Sequence, residues 1–175
     1  LDLLDDILLP SYGVLIKGEY ENSSKEWGSN NNYHFYKALG DIYLTYKKNT
    51  YRINGYYHQA LNNYPKYLIT VPNGSQTFSG LKEFQLWGKT LLFSRFEYRY
   101  KHKKDIYFHG ILNLLISAKD NNNHSVENIW GYGLGVTLLS PLGPLEFIWS
   151  KGPSNIYTKN NSFQSLFYFT AGYKF

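Results

Sequence analysis

The feature that most constrains this chain is a two-residue periodicity sustained over unusually long runs. From Lys89 to Lys101 the even positions are Thr90, Leu92, Ser94, Phe96, Tyr98 and Tyr100. The odd positions from Arg95 onward are Arg95, Glu97, Arg99 and Lys101. Asp105–Lys119 continues the pattern, with Ile106, Phe108, Gly110, Leu112, Leu114, Ile116 and Ala118 assigned to one face. Side chains alternate between the faces of a strand, so such a run has one apolar face and one polar face. Ordinary strands are about 5–6 residues long. A run of this length matches a membrane-crossing strand of about 9–11 residues extended into water at both ends.

The same alternation recurs along the chain. Tyr12, Val14, Ile16, Gly18 and Tyr20 oppose Lys17, Glu19 and Glu21. Similar runs begin at Tyr36, Tyr51, Trp130, Leu145 and Phe167, making eight predicted strands. The tight connections are Lys48-Asn49, His102-Lys103 and Pro141-Leu142-Gly143. The long polar ones are Asn22–Asn32, roughly Asn62–Gln85, Asp120–Glu127 and Gly152–Asn161. Strict alternation of short and long connections is the asymmetry of outer-membrane barrels, with short periplasmic turns and long outer loops. The expected fold is therefore all-β: an antiparallel outer-membrane β-barrel with eight up-and-down strands per chain and both termini on the periplasmic side. Residues 1–10 read as a periplasmic lead-in, in which Leu3-Leu4-x-x-Ile7-Leu8-Leu9 forms one helical turn before Pro10 stops it. Residues 11–175 read as the barrel domain. A soluble β-sandwich also alternates, but it rarely ends so many strands in Tyr or Trp. Aromatics are 19% of this chain, and their rings suit the two bilayer interfaces.

Composition narrows the function. A net charge of +5, scattered along the chain, gives no nucleic-acid footprint. A mean hydropathy of −0.43 and the lack of a long apolar run exclude spanning helices. Without cysteine there is no disulfide, thiolate metal site or Cys nucleophile. The five histidines, His34, His58, His102, His109 and His124, are too dispersed to suggest a metal site. No Gly-x-Ser-x-Gly elbow and no phosphate-cradling glycine loop occurs. Neither catalysis nor a cofactor is expected. Met is absent even at position 1, and Leu1–Asp6 lacks the basic start and cleavage site of a signal peptide. The chain thus reads as a fragment or a processed domain.

Several segments carry a resemblance. Thr77-Phe78-Ser79-Gly80-Leu81, then Leu86-Trp87-Gly88-Lys89-Thr90, then Phe96-Glu97-Tyr98-Arg99-Tyr100 resembles the loop-and-strand signature of the BamA/TamA outer-membrane superfamily. Gly133-Leu134-Gly135 through Ser140-Pro141-Leu142-Gly143-Pro144-Leu145 resembles its penultimate hairpin. Phe169-x-x-x-Tyr173-x-Phe175 resembles the last-strand recognition signal of outer-membrane barrels. The match covers roughly residues 70–175. In that superfamily the loop carries an Arg that anchors it inside the barrel; Ser79 stands there in this chain. A small polar residue before the Gly is closer to the patatin-like (type Vd) autotransporter branch, in which a secreted lipase-type domain precedes the barrel.

The resemblance implies a loop motif at Phe78, Ser79, Gly80 and Leu81 that folds back into the lumen, and an assembly signal at Phe169, Tyr173 and Phe175 read by the outer-membrane assembly machinery. The alternation itself puts Arg95, Glu97 and Arg99 in a lumen charge network. It also puts Gly131, Gly133 and Gly135 on the lumen face, where they either relieve curvature or leave room for an inserted loop. The implied function is an outer-membrane translocator or anchor domain of a patatin-like autotransporter. The alternatives are a BamA/TamA-like assembly factor and a small structural or adhesive surface barrel. An eight-stranded barrel is just filled by its own side chains. A lumen that also takes a long loop needs more wall, and this chain would supply half of a 16-stranded barrel. The missing half comes either from a second copy, the more economical source, or from an N-terminal half of the same polypeptide. The expected partners are membrane lipids and that second copy, forming a homodimer through the strand edges.

Overall fold

The computed structural model describes residues 1–6, 9–30, 32–62, 77–82, 85, 88–119, 125–141, 143–156 and 162–172. The chain is all-β. Its strands are β1 (Gly13–Ser23), β2 (Tyr33–Tyr46), β3 (Asn49–Asn62), β4 (Thr90–Lys103), β5 (Ile106–Lys119), β6 (Ser125–Ser140), β7 (Gly143–Pro153) and β8 (Phe163–Ala171). They form one antiparallel up-and-down sheet in chain order. No ladder joins β8 back to β1 among the described residues, so the sheet is open. The helical element among those residues is one 3-10 turn at Lys25–Trp27, closed by Gly28 at φ 86°.

The alternation sorts side chains onto the two faces as the period requires. Val14, Ile42, Ile53, Phe96, Leu112 and Tyr132 form one row across six strands. This outer face is apolar and open: Ile53 is 52% exposed, Leu112 56% and Leu134 59%. Aromatic pairs flank the aliphatic band. Tyr20 and Tyr36 lie 5.0 Å apart toward the long-loop end, and Tyr51 and Tyr98 lie 5.6 Å apart toward the tight-turn end. The inner face buries Asp41, Arg95, Glu97, Arg99 and His109. Toward the tight-turn end polar residues are inside and apolar residues outside, the reverse of a globular protein in water, whereas the long-loop end of the inner face is apolar.

Four local expectations are corrected. The turns fall at Lys47-Lys48 and Lys104-Asp105, one or two residues from their predicted places, and Gly143 is the first residue of β7. Lys47 takes up the positive φ of the first turn, 58°. Ala118 is buried on the inner face, not on the outer one. Phe93 pairs with Leu115 and Leu92 with Ser117, so Ile116 is the extra residue of a β-bulge. A bulge shifts the alternation by one residue, which turns Ala118 inward.

The fourth correction concerns the N-terminus. Leu3–Asp5 is extended, not a helical turn. Leu3 N donates to Val14 O and Asp5 N to Tyr12 O, both at 3.0 Å, and Ile16 N donates to Leu1 O at 2.8 Å. The unpaired edge of β1 satisfies these backbone groups without a helix. The Asp5 carboxylate then accepts from the N–H of Ser11 and of Tyr12 and from the Ser11 hydroxyl. The Ser11 hydroxyl, followed by the Tyr12 N–H, holds the Asp5 carboxyl down at about 2. Ile7 and Leu8 of that expectation lie outside the described residues.

Candidate functional site

Two groups of residues fill the inner face. The first is the loop that enters from the long-loop end. Phe78 and Ser79 are fully buried and Leu81 nearly so. Phe78 and Leu81 belong to a cluster with Tyr56, Leu91, Phe93, Leu115, Ala118 and Val126. Apolar side chains on the inner face at this end thus have a partner brought to them by the loop, and water is excluded. Ser79 accepts from Asn113 Nδ2 through both its carbonyl (3.0 Å) and its hydroxyl (2.9 Å). Gly80 N donates to Tyr168 Oη at 3.3 Å, and that hydroxyl donates to Leu81 O at 3.2 Å. Gln164 Nε2 reaches Gly80 O at 3.3 Å and Gln85 Oε1 at 2.6 Å. The sheet therefore wraps the loop from β4 to β8.

Backbone proximity explains the glycine of the motif. Gly80 has φ +112°, and a Cβ there would sit 2.8 Å from Lys151 O. A Cβ on Gly152 would sit 2.4 Å from Gly80 O, so the two segments touch backbone to backbone. Of the three lumen-face glycines, Gly131 alone meets the loop as well as β7: its Cβ would lie 3.1 Å from Phe78 Cε1, from Ser79 O and from Lys151 O. Gly133 and Gly135 instead face β7, at Trp149 O (3.1 Å) and Ile148 Cγ1 (3.0 Å).

The second group is a charge network at the tight-turn end, centred on Glu97. Arg52 lies directly across the ladder from Glu97. Its Nε and Nη2 form a fork on Asp41 at 2.6 and 3.2 Å, and its Nη1 reaches Glu97 Oε2 at 3.4 Å. Arg95 Nη2 donates to the same oxygen at 2.9 Å. Glu97 Oε1 lies 2.9 Å from His109 Nδ1, and His109 Nε2 lies 2.8 Å from Thr137 Oγ1. Arg95 also sends Nη1 to Thr77 O at 3.3 Å, which ties the network to the loop. A guanidinium thus anchors the loop from the wall, while Ser79 occupies the loop position where the resemblance implied an arginine.

Glu97, His109 and Thr137 stand in the order carboxylate, imidazole, hydroxyl, which is the order of a nucleophile activated through a base. All three groups are buried. Thr137 is 2% exposed in mid-strand, Glu97 already takes two arginines, and the adjoining cavity of about 60 Å³ holds a few waters at most. The arrangement holds buried charge in place. Among the described residues no three His, Asp or Glu side chains converge as metal ligands.

Arg95, Glu97 and Arg99 all lie on the inner face of β4. Glu97 pairs directly with Arg95, whereas Arg99 donates to Pro10 O. Phe169 lies on the outer face, 62% exposed, with its ring 4.7 Å from Phe147. Tyr173 and Phe175 lie outside the described residues. Asp41, Arg52, His109, Asn113, Thr137, Gly152, Gln164 and Tyr168 were not singled out from the sequence. Of these, Asp41, Arg52, His109, Asn113 and Thr137 fall on the polar side of an alternating run, so the face of each can be read from the sequence. Which of them touch required the strand register.

No protein-family model matches the chain, and no curated protein matches it.

Proposed function

We propose that this chain is a membrane-spanning part of an outer-membrane β-barrel and serves as the translocator or anchor domain of a patatin-like autotransporter. The observation that carries the reading is the inverted sorting of its faces. A contiguous outer face of Ile42, Ile53, Phe96, Leu112 and Leu134 stands open, while Arg95, Glu97 and Arg99 are buried. Soluble monomers rarely expose apolar patches of more than a few hundred Å². Lipid is the solvent that makes this sorting favourable.

Two further features favour a translocator or anchor over a small self-contained barrel. The inner loop takes space that an eight-stranded barrel lacks. Both edges also need partners in a bilayer. Among the described residues β8 is paired on one side, to β7, and Leu1–Asp5 cover β1 only as far as Ile16. A second copy joined edge to edge would satisfy these backbone groups, each of which costs several kcal/mol if left bare in lipid. The exposed Phe169 end of β8 is where the assembly machinery would read the chain.

The test is refolding into phosphatidylcholine vesicles with heat-modifiable gel mobility as the readout, alongside native mass spectrometry. Membrane insertion together with a dimer supports the proposal. A water-soluble, well-folded monomer sinks it. A closed monomeric barrel in the bilayer sinks the dimer alone.

A further inference from the structure

Arg99 is a buried cation with a weak set of partners. It is 6% exposed. Among the described residues no carboxylate lies within ion-pair distance of it. Its Nη2 donates to the carbonyl of Pro10, its guanidinium lies 5.8 Å from the Tyr107 ring, and its Nε has no partner. Taking a cation out of water for one neutral acceptor is unfavourable. The contact persists because the chain around Pro10 is pinned independently on its far side. Asp5 holds the N–H groups of Ser11 and Tyr12, and Thr45 Oγ1 donates to Ser11 O at 2.6 Å. Pro10 is itself buried, and Leu9 and Pro10 close one side of the cavity of about 60 Å³ that Arg99, Glu97, His109 and Thr137 line.

We propose that Leu9–Pro10 is a strap across the tight-turn end of the inner face, latched by Arg99, and that releasing the latch opens that end to solvent. The reason lies in the balance of partners. Lifting Leu9–Pro10 while Asp5 and Thr45 keep their hold on Ser11 costs one charge-assisted hydrogen bond, and it rehydrates a guanidinium whose Nε is otherwise unmet. Glu97 keeps its own cations, Arg52 and Arg95, so the network beneath survives the opening. The strap and the loop are both held by β4, through Arg99 at one end and Arg95 at the other. The inference leans on the barrel reading only in treating this end as a mouth.

The chain has no cysteine, so a single reporter is unambiguous. Thr137→Cys places a thiol under the strap, and its reaction with a membrane-impermeant maleimide reports opening. With Arg99→Gln the labelling rate should rise about tenfold or more, and Arg99→Lys should lie between that variant and the parent. Asp5→Asn takes the charge and one of the two acceptor oxygens from another fastening without touching the inner face, and should raise labelling as well. Unchanged labelling in whichever of Arg99→Gln and Asp5→Asn retains heat-modifiable mobility overturns the strap. The measurement works in detergent, so failure to insert into vesicles would count against the membrane reading and leave this result standing.

Discussion

At the long-loop end of the inner face, Phe78 and Leu81 pack against Tyr56, Leu91, Phe93 and Leu115, and backbone meets backbone at Gly80 and Gly152. At the tight-turn end the wall fills itself with Asp41, Arg52, Glu97 and His109, and the N-terminal segment adds the carbonyl of Pro10 as the acceptor of Arg99. Apolar packing is non-directional and depends on buried area, so one end tolerates changes of shape that keep volume. A buried charge network depends on every partner, so the other end fails when one member is lost. Arg95 is the joint between them, with one nitrogen on Glu97 and another on Thr77 O.

The largest effect should come from the charged end. Glu97→Ala leaves Arg52, Arg95 and His109 without their common acceptor and should cost about 3–5 kcal/mol by denaturant unfolding in detergent. Glu97→Gln keeps the shape and should still lose most of that. Were the two Glu97 variants to differ by more than half, shape rather than charge would hold this end together.

Phe78→Ala should cost about 3–4 kcal/mol through the cavity it opens, whereas Phe78→Leu should cost under about 1.5 kcal/mol. Comparable losses for Ala and Leu would mean that the loop end is as exacting as the charged end, and the contrast would be gone.

Leu112→Arg on the outer face should cost about 2–4 kcal/mol in a bilayer. Little effect there on vesicle refolding would remove lipid as the solvent of that face.

Gly131→Ala presses on Phe78 and Ser79 and should cost about 1 kcal/mol. Gly110→Ala, where an added Cβ meets nothing within 4 Å, is its control. Equal midpoints for the two would place the loop further from β6.

The smallest effect is a pH dependence at the strap. The carboxyl of Asp5 is held below its ordinary 3.8, at about 2, so its contribution is full above pH 4 and fades as pH falls toward 2. Thermal midpoints between pH 5 and 2 should show a shallower acid loss in Asp5→Asn than in the parent. Identical slopes would detach Asp5 from the strap.

The alternation in Lys89–Lys101 and Asp105–Lys119 determined by itself that these are strands, which side of each is polar, and that Arg95, Glu97 and Arg99 share the inner face. That information is local. The pleat has a period of two, and composition along one strand reports which solvent each face meets. The eight strands and their order could be read for the same reason, because each connection is written beside the strands it joins. What only the tertiary structure decided is everything that depends on register. The bulge at Ile116 turned Ala118 inward against its own alternation. Nothing in the spacing of Asp41, Arg52, Glu97, His109 and Thr137 says that they form one network, since they come from five strands and meet only when four ladders are in step. Leu1–Asp5 found the edge of β1 instead of a helical turn because that edge offered unpaired backbone groups, which a sequence read by itself cannot count. Face is a property of one strand and its solvent; contact is a property of neighbours, and a shift of one residue exchanges them all.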